Sequence, residues 1–146
     1  MTALILMVLV ASCFPPDKPM LIPALGEMDF VVVHHLKLPG TPVWTHEIRD
    51  PKRIAAILEH LRKHNTGYRA DSRFHDPLFG SRDHEYKIDF HDKADTLPLI
   101  IWIGPNWIGG MDLRRGEPWS ARYRRLRASE RRELLALITQ GEAETR

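Results

Sequence analysis

From residue 27 onward the spacing of hydrophobic and polar positions assigns an element to most of the chain. Residues 27–38 alternate, with Phe30, Val32, His34, Leu36 and Leu38 on one face and Val31, Val33, His35 and Lys37 on the other. β-Branched residues fill the centre, so the segment predicts a strand, with His34 as a hydrogen-bonded histidine of the apolar face. The turn cluster Pro39-Gly40-Thr41-Pro42 leads into a second strand over 43–48, antiparallel to the first. Residues 50–64 predict a helix: Asp50 can cap its free N–H groups, Pro51 occupies N1, and Ile54, Ile57, Leu58 and Leu61 form one apolar stripe. Asn65-Thr66-Gly67 ends it.

Residues 68–82 are polar, contain Pro77 and Gly80, and predict a loop. Residues 84–91 alternate again, with Tyr86, Ile88 and Phe90 inward and Glu85, Lys87, Asp89 and His91 on a wet face. The nearly all-apolar run 97–103 suits a central strand, and Gly104-Pro105-Asn106 turns the chain. Residues 107–113 then pair back, with Gly109-Gly110 marking a bulge or a close approach of another group. Residues 114–127 read as irregular. Ser129 is expected to cap a last helix to about residue 140, with Leu134, Leu135 and Ile138 inward. The tail 141–146 frays. The expectation is one α+β domain over 27–140, a mostly antiparallel sheet of about five strands with two helices on one face.

The first residues tell a different story. Residues 2–11 are apolar but too short for a bilayer-spanning helix, which needs roughly 20 residues. They fit the apolar core of a secretory signal. Val10-Ala11-Ser12-Cys13 follows: an apolar residue, two small ones and the only cysteine of the chain. In these positions the chain resembles bacterial lipoproteins. The resemblance covers residues 1–13 and departs from the pattern in one respect, since Met1 and Thr2 carry no Lys or Arg. It implies a signal peptide over 1–12, removal before Cys13 and lipidation of that thiol. Two or three acyl chains hold a protein stably where one would not, at about 0.8 kcal/mol per buried methylene. It also implies the outer membrane, facing the periplasm, because Phe14 and not aspartate follows the cysteine. The competing arrangement is a buried first strand with a core cysteine. Residues 13–26, with Pro15, Pro16, Pro19 and Pro23, read as the lipidated cysteine and an extended tether.

Composition narrows the classes further. A net charge of +2 does not mark a general polyanion binder, and together with the expected compartment it argues against nucleic acid. No disulfide can form from one cysteine. Basic charge is nonetheless concentrated between residues 114 and 132, and as arginine, whose planar fork suits carboxylates and phosphates. Within that stretch Trp119 lies beside Pro118 and between arginines. Trp, Tyr and Arg are enriched at binding hot spots, so Arg114, Arg115, Trp119, Arg122, Tyr123 and Arg124 form the candidate partner-binding surface. The competing arrangement folds Trp119 inward and leaves the arginines solvated. Trp102 and Trp107 read as core or cross-strand packing.

Catalytic signatures are absent. None of Ser72, Ser81, Ser120 and Ser129 sits in a nucleophile motif, and no phosphate-binding glycine loop or paired-cysteine motif occurs, so no cofactor is expected. His60 and His64, at i and i+4, are the weak candidates for a metal, but the sequence places no further ligand beside them. The expected function is a membrane-anchored periplasmic lipoprotein that binds an envelope protein, an acidic one suiting it best. It could act as an immunity or inhibitor protein or as an envelope-assembly factor. One alternative is a hydrolase or metal-binding enzyme, which requires at least three of His60, His64, His75, His84 and His91 to converge on one pocket. The other is a purely structural lipoprotein.

Overall fold

A computed structural model of the chain describes Asp17 and residues 19–37, 41–70, 84–94, 96–115 and 121–140. The strands are β1 (Met28–Lys37), β2 (Thr41–Ile48), β3 (Arg69–Ala70), β4 (Tyr86–Asp92), β5 (Leu99–Ile103), β6 (Trp107–Asp112) and β7 (Arg122–Arg125). Two helices, α1 (Pro51–Lys63) and α2 (Ala128–Thr139), follow β2 and β7. One sheet runs in the order β2-β1-β4-β5-β6-β7-β3, and every neighbouring pair is antiparallel. The α+β arrangement is thus the expected one, but the sheet is larger than five strands. It has six strands of four or more residues and a two-residue seventh. No helix among the described residues is long and apolar enough to cross a membrane.

The helix stripe Ile54, Ile57, Leu58 and Leu61 is buried as its spacing predicts, in one core with Leu134 and Ile138 of α2. Each such side chain contributes roughly 1.5–3 kcal/mol by leaving water. Opposite them lie Val31, Val33, Ile88, Phe90, Leu99, Ile101, Ile103 and Ile108. Asp50 caps α1 by accepting from the Lys52 amide at 3.1 Å, with Pro51 behind it. Gly67 follows in a left-handed conformation (φ 76°) that a side chain would strain, so the chain can turn there toward β3.

Several expectations change. In β1 the core face is Val31 and Val33, which pair with Phe90 and Ile88, while Val32 and His34 lie on the other face. The alternation is broken at both ends by register shifts, between Met28 and Phe30 and between His35 and Leu36, which return Met28 and Leu36 to the interior. One extra residue flips the facing of all that follow. His34 is hydrogen-bonded as expected, to Thr45 Oγ1 and Asp89 Oδ2 at 3.1 Å each, but outside the core. Asp89, expected to be wet, is buried between His34 and Lys87. Leu38 lies outside the described residues.

β7 forms within the stretch expected to be irregular. Arg-Tyr-Arg-Arg offers no apolar alternation, yet it pairs with residues 107–110 of β6. Long arginine stems can pack as hydrocarbon while their heads find acceptors. Gly109-Gly110 makes no bulge: the register through β5, β6 and β7 is continuous. It is instead a close approach, since a Cβ on Gly110 would lie 2.2 Å from Met20 Sδ and 2.9 Å from Ile101 Cδ1. Trp107 likewise packs so tightly under Gly104 that a Cβ there would meet the indole at 2.1 Å.

Met20 brings the proline-rich segment into the fold. The segment expected as a free tether meets the domain at Asp17, whose carboxylate accepts from the Gly67 amide at 3.0 Å, and again from Pro19 onward. Met20 is buried, and Asn65 clamps its backbone, accepting from its N–H at 2.9 Å and donating to its carbonyl at 2.7 Å. The carbonyls of Pro19 and Pro23 accept from Arg122 and Arg62. Proline removes amide donors but leaves its carbonyls free to bind, so side-chain donors can fasten such a segment. Finally, α2 starts at Ala128 with Arg127 at its N-cap and no side-chain cap, so Ser129 sits inside the first turn. Residues 1–16, 116–120 and 141–146, and most of the loop expected over 68–82, lie outside the described residues.

Candidate functional site

The strand pleat divides the arginine-aromatic set. Arg122 and Arg124 pair with Gly110 and Ile108 on the helix side of the sheet, whereas Tyr123 pairs with Gly109 and Arg69 on the other side. Arg122 is buried and holds the Pro19 carbonyl. Arg124, its side chain 10% exposed, donates to Glu130 at 2.7 Å and to the Arg125 carbonyl at 2.9 Å, and lies 5.2 Å from the Tyr68 ring centroid. Arg114 is near Glu27 (3.2 Å) and Asp112 (3.6 Å) at the far end of β6. Arg115 belongs to the short turn Leu113–Arg115, and Trp119 lies outside the described residues. Among the described residues of the set, Arg114, Arg122, Tyr123 and Arg124 do not make one surface: Arg122 and Arg124 spend their forks inside the protein.

A different basic surface forms where the end of α1, strand β7 and the start of α2 meet. Lys63, His64, Thr66, Gly67, Arg124, Arg125, Arg127 and Glu130 line a cleft of about 400 Å³. Four cationic side chains stand there against the single carboxylate of Glu130, and Arg127 is 84% exposed. The uncapped first turn of α2 adds the positive end of its dipole. Burial alone would raise the Glu130 carboxyl. The Arg124 hydrogen bond and charge, aided by His64 and Arg127, outweigh it and hold the group below its ordinary range. Burial raises the Tyr68 hydroxyl, with Arg124 acting in the opposite direction.

Beside this cleft the two helices bring His60, His64 and Glu133 together. The imidazole centroids are 4.7 Å apart. His60 Nδ1 lies 3.7 Å from Glu133 Oε2, and His64 Nδ1 lies 3.4 Å from Glu130 Oε1. His60 is only 8% exposed, and Nε2 of both rings is buried without a hydrogen-bond partner. Burial and the neighbouring His64 lower the His60 pKa from its ordinary value, with Glu133 and Glu130 acting against them. His60, His64 and Glu133 can offer one ligand atom each, all within 4.8 Å of one another.

The other histidines do not join them. His84 is buried next to Trp107, and His91 stacks on Phe30 at 4.4 Å on the opposite face of the sheet. His75 lies outside the described residues. Of the four named histidines among the described residues, only His60 and His64 come together. The i, i+4 pair was legible in the sequence. Glu130 and Glu133 were not, although their spacing puts both on one face of α2; nothing local says that this face meets α1. No family model, curated protein or solved structure matches the chain.

Proposed function

We propose that this chain is a lipid-anchored envelope protein, processed before Cys13, whose domain binds an acidic segment of a protein partner in the cleft between α1, β7 and α2. The observation that carries the binding reading is the charge of that cleft, with four cationic side chains against one buried and already paired carboxylate. Lys63, Arg125 and Arg127 have no structural duty comparable to that of Arg122 and Arg124, so their charge is available to a partner. Such charge steers encounter and sets specificity more than it sets raw affinity. The lipid anchor rests on residues 1–13, and the outer membrane facing the periplasm is its proposed place. An immunity or inhibitor protein and an envelope-assembly factor are the two forms that this role takes most naturally.

The docked proline segment supports a close attachment. The chain meets the domain at Asp17, four positions after Cys13, where its carboxylate accepts from the Gly67 amide at 3.0 Å. Four residues reach at most about 14 Å. The domain would then sit against the bilayer, facing partners that are themselves at the membrane surface.

The test is co-purification from envelope extract with wild type and with an Arg125→Glu/Arg127→Glu variant, whose changes fall on exposed residues and spare Arg124. The partner is expected to be lost from the variant and to weaken on the wild type as salt rises. An equal yield of the same partner from both proteins would exclude the cleft as the binding surface.

A further inference from the structure

We infer that His60, His64 and Glu133 form a binding site for a transition-metal dication of the zinc type at the junction of α1 and α2. This goes beyond the partner-binding role and does not depend on it. Two imidazoles and one carboxylate are the ligand chemistry that Zn²⁺ takes in three-ligand sites whose fourth position remains open. The geometry is close to what is needed. With metal–ligand bonds of about 2.0–2.2 Å, tetrahedral ligand atoms stand about 3.3–3.5 Å apart. His60 Nδ1 and Glu133 Oε2 are already at 3.7 Å. The full set of candidate ligand atoms lies within 4.8 Å of one another.

Nε2 of both rings is buried without a hydrogen-bond partner, so ligation through Nε2 after ring rotation would also satisfy a polar atom that a purely structural pair leaves unpaired. Lys63 lies beside this site and Arg124 lines the adjoining cleft, and both would repel a dication. Glu130 already neutralises Arg124 at 2.7 Å, and Glu133 supplies a further negative charge directly at the site.

The experiment uses the full chain in detergent micelles, carrying Cys13→Ser throughout so that its one thiol offers no competing ligand. Zn²⁺ binding is measured by competition with a chromogenic chelator, beside Glu133→Gln and His64→Ala variants. Glu133 is 56% exposed, so its substitution leaves the fold intact, and circular dichroism checks both variants. The expected result is one equivalent of Zn²⁺ per chain, bound at least about tenfold more weakly by each variant. Zn²⁺ should also raise the melting temperature of the parent and not of the variants. No saturable binding, or saturable binding that either substitution leaves unchanged, would overturn the three-ligand assignment.

Discussion

Replacing Glu130 with glutamine should reveal how the basic cleft is held together. The Glu130 side chain is 9% exposed and the Arg124 side chain 10%, so their 2.7 Å contact is an ion pair largely out of water. Breaking a buried pair by neutralising one partner costs about 3–5 kcal/mol, mostly because the remaining charge is left uncompensated. Here the loss is smaller. Arg124 keeps its bond to the Arg125 carbonyl and its place over Tyr68, and the glutamine oxygen can still accept from it. The expected cost of Glu130→Gln is therefore about 2–3 kcal/mol, near the worth of a charge-assisted hydrogen bond. At about 4 °C per kcal/mol for a domain of this size, the melting temperature should fall by roughly 10 °C.

Urea unfolding followed by circular dichroism measures this difference, and pH identifies its origin. Glu130 has a folded-state pKa lowered from its ordinary 4.5. The unfolded chain therefore takes up the proton first as pH falls. The stabilisation is fully present above about pH 5 and is lost as pH drops through the lowered value. The gap between wild type and Glu130→Gln should close over that acid window, because glutamine does not titrate. A difference below about 0.5 kcal/mol, or one that stays constant from pH 7 to pH 3, would refute the argument that this pair supports the cleft.

Gly110→Ala should destabilise the domain by about 1–3 kcal/mol in urea unfolding, because its methyl group would meet Met20 Sδ and Ile101 Cδ1. Adding Met20→Ala should recover part of that loss by vacating the space, and strictly additive costs would show that Met20 does not sit there. Intact mass of the protein from membranes should show a chain beginning at Cys13 with acyl mass added, and no such species for Cys13→Ser. A wild-type mass that retains residues 1–12 with a free thiol would remove the anchor and make residues 3–11 a candidate core strand.

The sequence by itself determined what depends on near neighbours. The Asp50 cap, Pro51 and the four-residue apolar stripe define α1 within one stretch of chain, and the inward set Ile88 and Phe90 follows from simple alternation. Turn residues between successive strands made the sheet antiparallel. The His60–His64 pair follows from helical spacing alone.

Only the tertiary structure decided what depends on distant neighbours. In β1 the core face falls to Val31 and Val33, which leaves His34 outside it, and the two register shifts that return Met28 and Leu36 to the interior arise in the pairing with β4 and β2 rather than in β1's own pattern. The run Arg122–Arg125 becomes a strand because β6 offers it an edge and because Pro19, Glu130 and Tyr68 receive its arginines. The proline segment docks because Asn65, far along the chain, accepts from the Met20 amide and donates to the Met20 carbonyl. The histidine pair gains its carboxylate from α2, 69 residues beyond His64 (133 − 64), which no local spacing could indicate. Periodicity fixes which way a side chain points within its own element. Which groups it meets is set by how the elements pack, and at the junction of α1 and α2 that packing placed two glutamates, two histidines and a row of arginines within reach of one another.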